Sequence, residues 1–196
     1  KGELPQKPFA MICSVDEEDF MRGVEAAIKA GWVTKDDWIL DTEPTDGQIQ
    51  VAHKGRTWFE LTMTGITAHA SNPWKGADAI AGMAELIREI RLEVEALPHH
   101  EDLGWSTVTF GQITGGYRPY VVPDTCKVWI DMRLVPPTDT KAAENIVKRA
   151  AEAAKRRFQE SGQIGKLQEI GLMWKSTRTL LFWQLCGRQM LLLQEG

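Results

Sequence analysis

Three consecutive acidic residues are the first group in the sequence that could carry out chemistry. Asp16, Glu17 and Glu18 follow the apolar segment 8–15, PFAMICSV, which has the composition of a buried parallel strand. Adjacent carboxylates repel one another unless a cation or a proton neutralises them. Zn²⁺ accepts carboxylate oxygens, and a carboxylate beside the metal can act as a general base. The alternative is a helix N-terminus, where the dipole favours acids, and the triplet alone fits that alternative better.

Glu43 is the second candidate, because it follows another short apolar segment at 38–40 in the sequence LDTEPTDG. If both apolar segments are neighbouring strands, Glu43 and Glu18 lie beside each other at the strand ends and could bind one metal ion. The alternative is an acidic hinge residue before Pro44, and the residue alone does not separate the two interpretations.

His69 is the third candidate, placed between the alternating segment 48–68 and the loop sequence HASNPWKG. A histidine in such a loop can donate a hydrogen bond to an oxyanion that develops during acyl transfer. Taken alone, an ordinary surface histidine is the more common case. His99 and His100 stand beside proline and glutamate, which favours a solvated loop.

Gly115, Gly116 and Arg133 form the fourth candidate group. Glycines allow the backbone to approach a ligand closely, and arginine can hold a carboxylate through two hydrogen bonds. We therefore expect these residues to bind substrate. Arg133, near the end of a predicted strand, fits a surface ion pair at least as well when considered alone.

The first part of the chain has the pattern of an α/β fragment. Strands are predicted at 8–15 and 38–40, with helical spacing of apolar residues between Phe20 and Gly31. Both acidic loops then lie at the carboxyl ends of strands, where open α/β sheets bind ligands. Pro44 and Gly47 mark the end of this unit.

From residue 48 onward the elements follow the order β-α-β-β-α and lack only a closing strand. This order predicts a ferredoxin-like β-α-β-β-α-β fold of the α+β class, with a four-stranded antiparallel sheet and two helices. The predicted elements are a long strand at 48–68, or a hairpin that turns at Lys54-Gly55, followed by helix 78–94, strands 106–113 and 126–134, a helix at 138–158 capped by Thr138 or Asp139, and a closing strand at 163–174. We therefore predict a small α/β unit at 1–46, a second domain at 47–174, and a tail of unknown structure at 175–196.

Composition narrows the class of protein. The chain has 196 residues, a net charge of −4 and 43% hydrophobic residues, which suits a globular protein and argues against a nucleic-acid partner. No apolar run reaches the roughly 18 residues that span a bilayer, and the start lacks the shape of a signal peptide. Three widely separated cysteines predict neither a disulfide framework nor a cysteine zinc site, which favours the cytoplasm.

Four segments together resemble the zinc peptidases and amidohydrolases of the acetylornithine deacetylase, succinyl-diaminopimelate desuccinylase, aminoacylase and carboxypeptidase G2 group, the M20 metallopeptidases. The segments are VDEEDFMRG, LDTEPTDG, HKGRTWFELTMTGITAHASNPWKGADAI and LGWSTVTFGQITGGYRPYVVPDTCKVWIDMR. The resemblance runs from about residue 8 to about residue 158. The order and spacing of the segments are more specific than any single motif.

The resemblance implies a role for each matching residue. Glu17 takes the position of the family's general base, and Glu18 and Glu43 take the positions of zinc ligands. His69 matches the histidine that reaches the partner subunit's active site and stabilises the tetrahedral intermediate. Arg133 matches the arginine that holds the substrate carboxylate. The resemblance further implies that residues 1–46 are part of a zinc-binding catalytic domain and residues 47–174 a lid and dimerisation domain. It also implies two zinc ions, a homodimer formed through the lid domain, and an N-acyl amino acid or small peptide as substrate.

The sequence also departs from the family's pattern. Tyr120 replaces a substrate-binding asparagine, and we expect the His-x-Asp motif, the bridging aspartate and the last histidine ligand to lie outside this segment. With Glu18 and Glu43 as its ligands, the chain alone is expected to bind zinc poorly and to be inactive, since zinc sites use at least three protein ligands. The alternative function is a dimerisation module without a working metal site.

Overall fold

The structure is a computed structural model that describes residues 8–18, 21–50 and 52–160. The chain divides into two compact units, and the boundary falls between residues 51 and 52. We refer to the described part of the first unit, residues 8–50, as the acidic unit. The described part of the second, residues 52–160, is called the sheet unit. In the described ranges, no helix is both long and apolar enough to cross a bilayer.

The acidic unit contains one helix, α1, at Arg22–Lys29. Glu25 and Lys29 form an ion pair one turn apart, with 3.1 Å between Oε2 and Nζ. The backbone then turns at Gly31, whose φ of +74° suits a residue without a side chain. The expected helix between Phe20 and Gly31 is therefore present at Arg22–Lys29, and it ends before Gly31 as the sequence predicts.

The strands expected at 8–15 and 38–40 are not formed, and this part of the sequence-based prediction is wrong for the described structure. Phe9 is 76% exposed, and the apolar side chains around it are exposed as well. An apolar run becomes a strand only when a neighbouring strand pairs with its backbone and other layers cover its side chains. Within the described ranges of the acidic unit, no strand offers that pairing.

The sheet unit is built on three antiparallel strands. They are β1 at Gly55–Thr64, β2 at Thr107–Gly115 and β3 at Thr125–Leu134, with β3 in the centre. In β1 and β3 every second residue is buried, so one face of the sheet carries the apolar side chains. The register places Phe59 opposite Ile130, and a bulge at Gly111 interrupts the pairing of β2 with β3.

Two helices cover the apolar face of the sheet, α2 at Ala79–Glu95 and α3 at Thr140–Glu160. Each begins at an aspartate whose side chain accepts backbone hydrogen bonds. Asp78 accepts from two amides of the first turn of α2, both at 2.9 Å, and Asp139 accepts from the amide of Ala142 at 2.7 Å. Asp139 is the capping position that the sequence predicts for α3.

The sheet and both helices share one core. Its fully buried large side chains come from β1, β3, α2 and α3, and include Phe59, Leu61, Met63, Met83, Leu86, Ile90, Ile130, Met132 and Ile146. The α+β class and the order β-α-β-β-α are confirmed. The first strand is shorter than expected, since only 55–64 of the predicted 48–68 pairs with β3. The predicted closing strand at 163–174 and the tail at 175–196 lie outside the described residues.

Candidate functional site

Glu17 and Glu18 lie in an exposed turn that leads into α1. The turn closes on itself, because the backbone N–H of Met21 donates to the carbonyl oxygen of Asp16 at 2.8 Å. Asp16 has a φ of +56°, and its carboxylate lies 4.0 Å from the guanidinium of Arg22. The turn presents its carboxylates to solvent at the start of a helix.

Glu43 lies in an extended segment of the same unit and shares an electrostatic environment with this turn. Its partial burial raises the pKa of the Glu43 carboxyl group above its ordinary value. The negative charges of Asp41, Glu17 and Glu18 raise that pKa further. The two acidic motifs, separated by about 25 residues in the sequence, therefore lie close enough for their charges to interact. A divalent cation would relieve this repulsion.

These carboxylates do not by themselves amount to a complete metal site. Across the described ranges, no group of three or more histidine, cysteine, aspartate or glutamate side chains is arranged to hold a metal ion. Structural and catalytic zinc sites use at least three protein ligands. The described residues thus fit part of a donor set, and further ligands would have to come from elsewhere.

His69 lies on the loop between β1 and α2, with its ring held at one nitrogen. Nδ1 lies 2.9 Å from Oγ of Ser71 and accepts a hydrogen bond from the Ser71 backbone N–H at 3.2 Å. Nδ2 of Asn72 donates to the same hydroxyl oxygen at 3.0 Å. The side chain is exposed, and no described residue forms a hydrogen bond with Nε2. This nitrogen is therefore available to a ligand.

The loop that carries His69 is fixed to the segment before β3. A bridge pairs His69 with Val121, and the N–H of Ala70 donates to the carbonyl oxygen of Tyr120 at 2.9 Å. The Tyr120 ring, which replaces the expected asparagine, lies 6.5 Å from the His69 ring. At the base of the loop, a Cβ on Gly65 would lie 2.1 Å from a backbone oxygen, so only glycine fits.

Gly115 and Gly116 end β2, at the same end of the sheet as the His69 loop. A Cβ on Gly115 would lie 3.0 Å from both Cys126 Sγ and Ile80 Cγ1, and Gly116 has a φ of +66°. Both glycines thus have a structural role, namely close packing on α2 and a left-handed turn. Their expected contact with substrate stays a prediction.

Arg133 lies near the far end of β3, on the face opposite the helices. Its Nε and Nη2 both donate to Oδ2 of Asp131, at 3.1 and 2.9 Å. From Thr125 to Arg133 the strand extends about 27 Å, at about 3.4 Å per residue, and the His69 loop joins near Thr125. The structure therefore does not bring Arg133 together with His69 inside one sheet unit.

Sequence reasoning missed two carboxylates in these sites. Asp41 adds to the charge around Glu43, and Asp131 binds the guanidinium that was expected to hold substrate. Both could have been found from spacing, because residues two apart on an extended chain lie on the same face. Ser71 and Asn72 were recognised as loop residues, but their hydrogen bonds to His69 depend on loop geometry that periodicity does not predict.

Comparison with known protein families gives one match, to the peptidase dimerisation domain of M20 proteins, over residues 51–159. This is more than half of the chain and includes the described sheet unit up to residue 159. Curated relatives are similar over a larger share of the chain. The chain is 28% identical over 159 residues to "Probable carboxypeptidase" of Neosartorya fischeri, covering 76% of this chain and 36% of that protein.

A "Probable carboxypeptidase" of Paracoccidioides brasiliensis is 35% identical over 118 residues, covering 57% of this chain and 26% of that protein. The chain thus spans about a third of the length of the curated relatives it matches. Among solved structures, aminopeptidase PepT from Bacillus cereus is similar with a TM-score of 0.56 and 21% identity, covering 93% of this chain and 49% of that one. The aminobenzoyl-glutamate utilization protein from Klebsiella pneumoniae gives a TM-score of 0.51 and 20% identity, covering 81% and 38%. These two likenesses concern the fold.

Proposed function

We propose, since the chain belongs to the M20 family of peptidases and amidohydrolases, that it is part of a zinc-dependent hydrolase of amide or peptide bonds. Its substrates would be N-acyl amino acids or small peptides. The observation that carries this proposal is the match of residues 51–159 to the peptidase dimerisation domain of M20 proteins. The interaction of the Glu43 charge with those of Glu17 and Glu18 supports one shared site for the two acidic motifs.

In this proposal Glu17 is the general base. It takes a proton from the attacking water and delivers it to the leaving amine, which requires a carboxylate within hydrogen-bonding reach of the reacting atoms. Its position in an exposed turn, beside Glu18, leaves it accessible to a substrate.

Glu18 and Glu43 are the proposed zinc ligands of this chain. Zinc, when bound, supplies Lewis-acid activation of water and of the amide carbonyl. Their electrostatic proximity supports a common cation site, but within the described ranges no third ligand joins them. The chain alone is therefore proposed to bind zinc weakly, and the full pair of ions would need ligands from outside these ranges.

His69 is the proposed donor to the oxyanion that forms during amide cleavage. Its exposure at the end of the sheet supports a role toward a ligand from outside the sheet unit, including the active site of a partner subunit. Gly115 and Gly116 lie at the same end and are proposed to bind substrate through their backbone. Arg133, at the other end of the sheet, would reach a substrate carboxylate only in a different subunit or domain.

The hydrolase proposal is tested on the natural protein that contains this segment, loaded with zinc and assayed on N-acetyl amino acids and dipeptides. Glu17→Gln is expected to lower kcat by about 10²–10⁴-fold, the usual contribution of general acid–base catalysis. Glu25→Gln is the matched control, because Glu25 lies on α1 and pairs with Lys29. An unchanged kcat in the Glu17 variant, or no hydrolysis of any such substrate, would contradict the proposal.

We further propose a homodimer formed through the open edge of the sheet. Among the described strands β1 and β2 each have a neighbour on one side only, and β2 is the one whose residues are mostly exposed. Ile113 on this strand is 55% exposed, and Ile80 of the adjacent helix α2 is also exposed. An edge strand with exposed apolar side chains favours pairing with a second copy.

Sedimentation equilibrium tests the dimer. Ile113→Lys places a charge on the open edge and should raise the dimer dissociation constant by about 10²-fold or more, which corresponds to about 2.7 kcal/mol. Ile49→Lys is the matched control, since Ile49 is similarly exposed but lies in the acidic unit. A wild-type chain that stays monomeric at high concentration would contradict the dimer.

A second candidate function is a dimerisation module without catalysis. The absence of a three-ligand group from the described ranges favours it for this chain taken alone.

The cytoplasm is the proposed location for either function, because Cys13 is an exposed free thiol and such thiols are typical of reducing compartments. Fluorescent fusion to the natural protein would test that location.

A further inference from the structure

The hydrogen bonds around His69 define which of its two nitrogens carries the proton in the neutral ring. A backbone N–H can only donate, so the bond from Ser71 N–H at 3.2 Å requires Nδ1 to be an acceptor. An unprotonated Nδ1 in a neutral imidazole leaves the proton on Nε2. Nε2–H is then the donor of the neutral ring.

Ser71 and Asn72 extend this arrangement through the serine hydroxyl. With Nδ1 unprotonated, the Ser71 hydroxyl must donate to it across 2.9 Å. The amide of Asn72 donates to the oxygen of that hydroxyl at 3.0 Å, which occupies one of its lone pairs. Asn72 therefore donates to the hydroxyl oxygen of Ser71, and the Ser71 hydroxyl donates to Nδ1 of His69.

We propose that Ser71 is a positioning residue for His69, assisted by Asn72. It holds the ring in one rotamer and in the Nε2–H tautomer, so that the donor aimed at an oxyanion is formed before substrate arrives. Preorganised donors stabilise developing charge without reorganisation during the reaction. This inference rests on the proposed role of His69 in amide hydrolysis and adds the residues that prepare it.

Two other histidines of the sheet unit serve as internal references. Nδ1 of His53 lies 3.1 Å from the carbonyl oxygen of Lys54, which can only accept, so this ring carries its proton on Nδ1. Nδ1 of His100 accepts from the backbone N–H groups of Asp102 and Leu103 at 3.2 and 3.3 Å, so its proton lies on Nε2. The structure thus assigns opposite tautomers to His53 and His69.

Long-range proton–nitrogen NMR spectra of the ¹⁵N-labelled full chain test the assignment, at a pH of about 8.5 where imidazole is neutral. His69 and His100 should show the Nε2–H pattern and His53 the Nδ1–H pattern. In Ser71→Ala, we expect the ratio of the dominant χ1 rotamer of His69 to the others to fall by about three- to tenfold, the factor for one lost hydrogen bond. The Nδ1 resonance of His69 should move as well, while His53 and His100 stay unchanged.

Ser71→Thr keeps the hydroxyl and should restore the wild-type rotamer ratio and Nδ1 resonance. Backbone amide shifts of the surrounding loop show whether each variant keeps its fold. An Nδ1–H pattern for His69, or a Ser71→Ala spectrum identical to the wild type, would overturn the inference.

If the NMR results are as expected but the natural protein cleaves no amide, the proposed function fails and the positioning stands. If it cleaves amides while His69 shows Nδ1–H, only the positioning fails.

Discussion

The acidic unit and the sheet unit differ in how far their apolar side chains are buried. In the sheet unit, Phe59 is completely buried between a sheet and two helices, whereas Phe9 in the acidic unit is 76% exposed. Within the described part of the acidic unit, Ala27 is the one fully buried apolar residue. The sheet unit therefore contains its own core, while the acidic unit holds carboxylates on a segment whose apolar side chains lack a covering layer.

The two units therefore differ in how well they hold the proposed catalytic residues. The loop of His69 lies at one end of the packed sheet unit, whereas Glu17, Glu18 and Glu43, the other residues with proposed roles, lie in the acidic unit. Catalytic groups need support from packed surroundings to hold their geometry. The carboxylates of this chain have little such support in the described structure.

The largest expected contrast lies in the reactivity of two cysteines. Cys13 of the acidic unit is exposed, whereas Cys126 on β3 is buried. Burial, together with the nearby charge of Asp78, raises the pKa of the Cys126 thiol, so less of the reactive thiolate is present at any pH below that pKa. Labelling of Cys13 by iodoacetamide should be at least about 10³-fold faster, because Cys126 reacts only after the core opens. Peptide mapping by mass spectrometry measures both rates, and similar rates would remove the contrast.

The next contrast is how much one phenylalanine in each unit contributes to the free energy of unfolding. Phe59→Ala should lower the free energy of unfolding by about 3–5 kcal/mol, the loss expected for a fully buried ring. Phe9→Ala is the matched control and should change it by no more than about 0.5 kcal/mol. Urea unfolding followed by circular dichroism measures both. A large loss from Phe9→Ala would mean that the acidic unit has a core of its own.

Substitution of Gly115 tests whether close packing requires a glycine at this position of β2. Gly115→Ala should destabilise the chain by about 1–3 kcal/mol, since the added carbon meets Cys126 and Ile80 at 3.0 Å. Gly111 on the same strand has open space around it, so Gly111→Ala should change the stability by less than about 1 kcal/mol. Thermal unfolding compares the two. Equal effects would mean that close packing does not explain Gly115.

The smallest expected effect is a local pH dependence in the acidic unit. Hydrogen bonds from the Thr34 hydroxyl at 2.7 Å and the Thr34 backbone N–H at 2.6 Å lower the pKa of Asp37 below 3.8. The pKa of Asp37 is therefore lower in the folded chain than in the unfolded chain. These hydrogen bonds stabilise the folded chain above the pKa of the unfolded state, and the stabilisation is lost as the pH falls through the pKa of the folded state. Thr34→Val should raise the pKa of Asp37 toward its ordinary value in an NMR titration. Thr45→Val is the control, because the Thr45 hydroxyl donates to a backbone carbonyl instead, and an unmoved Asp37 would contradict the assignment.

The sheet unit was predictable from the sequence because its signals are local. Alternation predicts β3, helical periodicity predicts α2, and Asp139 marks the start of α3, and all three are observed. The segment 8–15 failed for a physical reason. Its composition is that of a strand buried in a sheet, and such a strand exists only when its neighbours are present.

The candidate site was predictable only in part. The interaction of Glu43 with the Glu17–Glu18 turn was expected from two neighbouring strands, and it occurs in the described structure without those strands. The surface ion pair considered for Arg133 is found with Asp131, two residues away on the same face of the strand. The hydrogen bonds of Ser71 to His69 depend on loop geometry that spacing does not predict, so they had to be read from the structure.

We propose that the described residues combine a packed sheet unit with only part of a zinc site. Isothermal titration calorimetry of the chain with zinc chloride measures whether that partial site binds the metal. With Glu18 and Glu43 as its ligands, we predict a dissociation constant weaker than about 10 μM and no hydrolysis of N-acetyl amino acids. Stoichiometric binding tighter than about 10 nM, lost in both Glu18→Gln and Glu43→Gln and accompanied by amide hydrolysis, would contradict the claim.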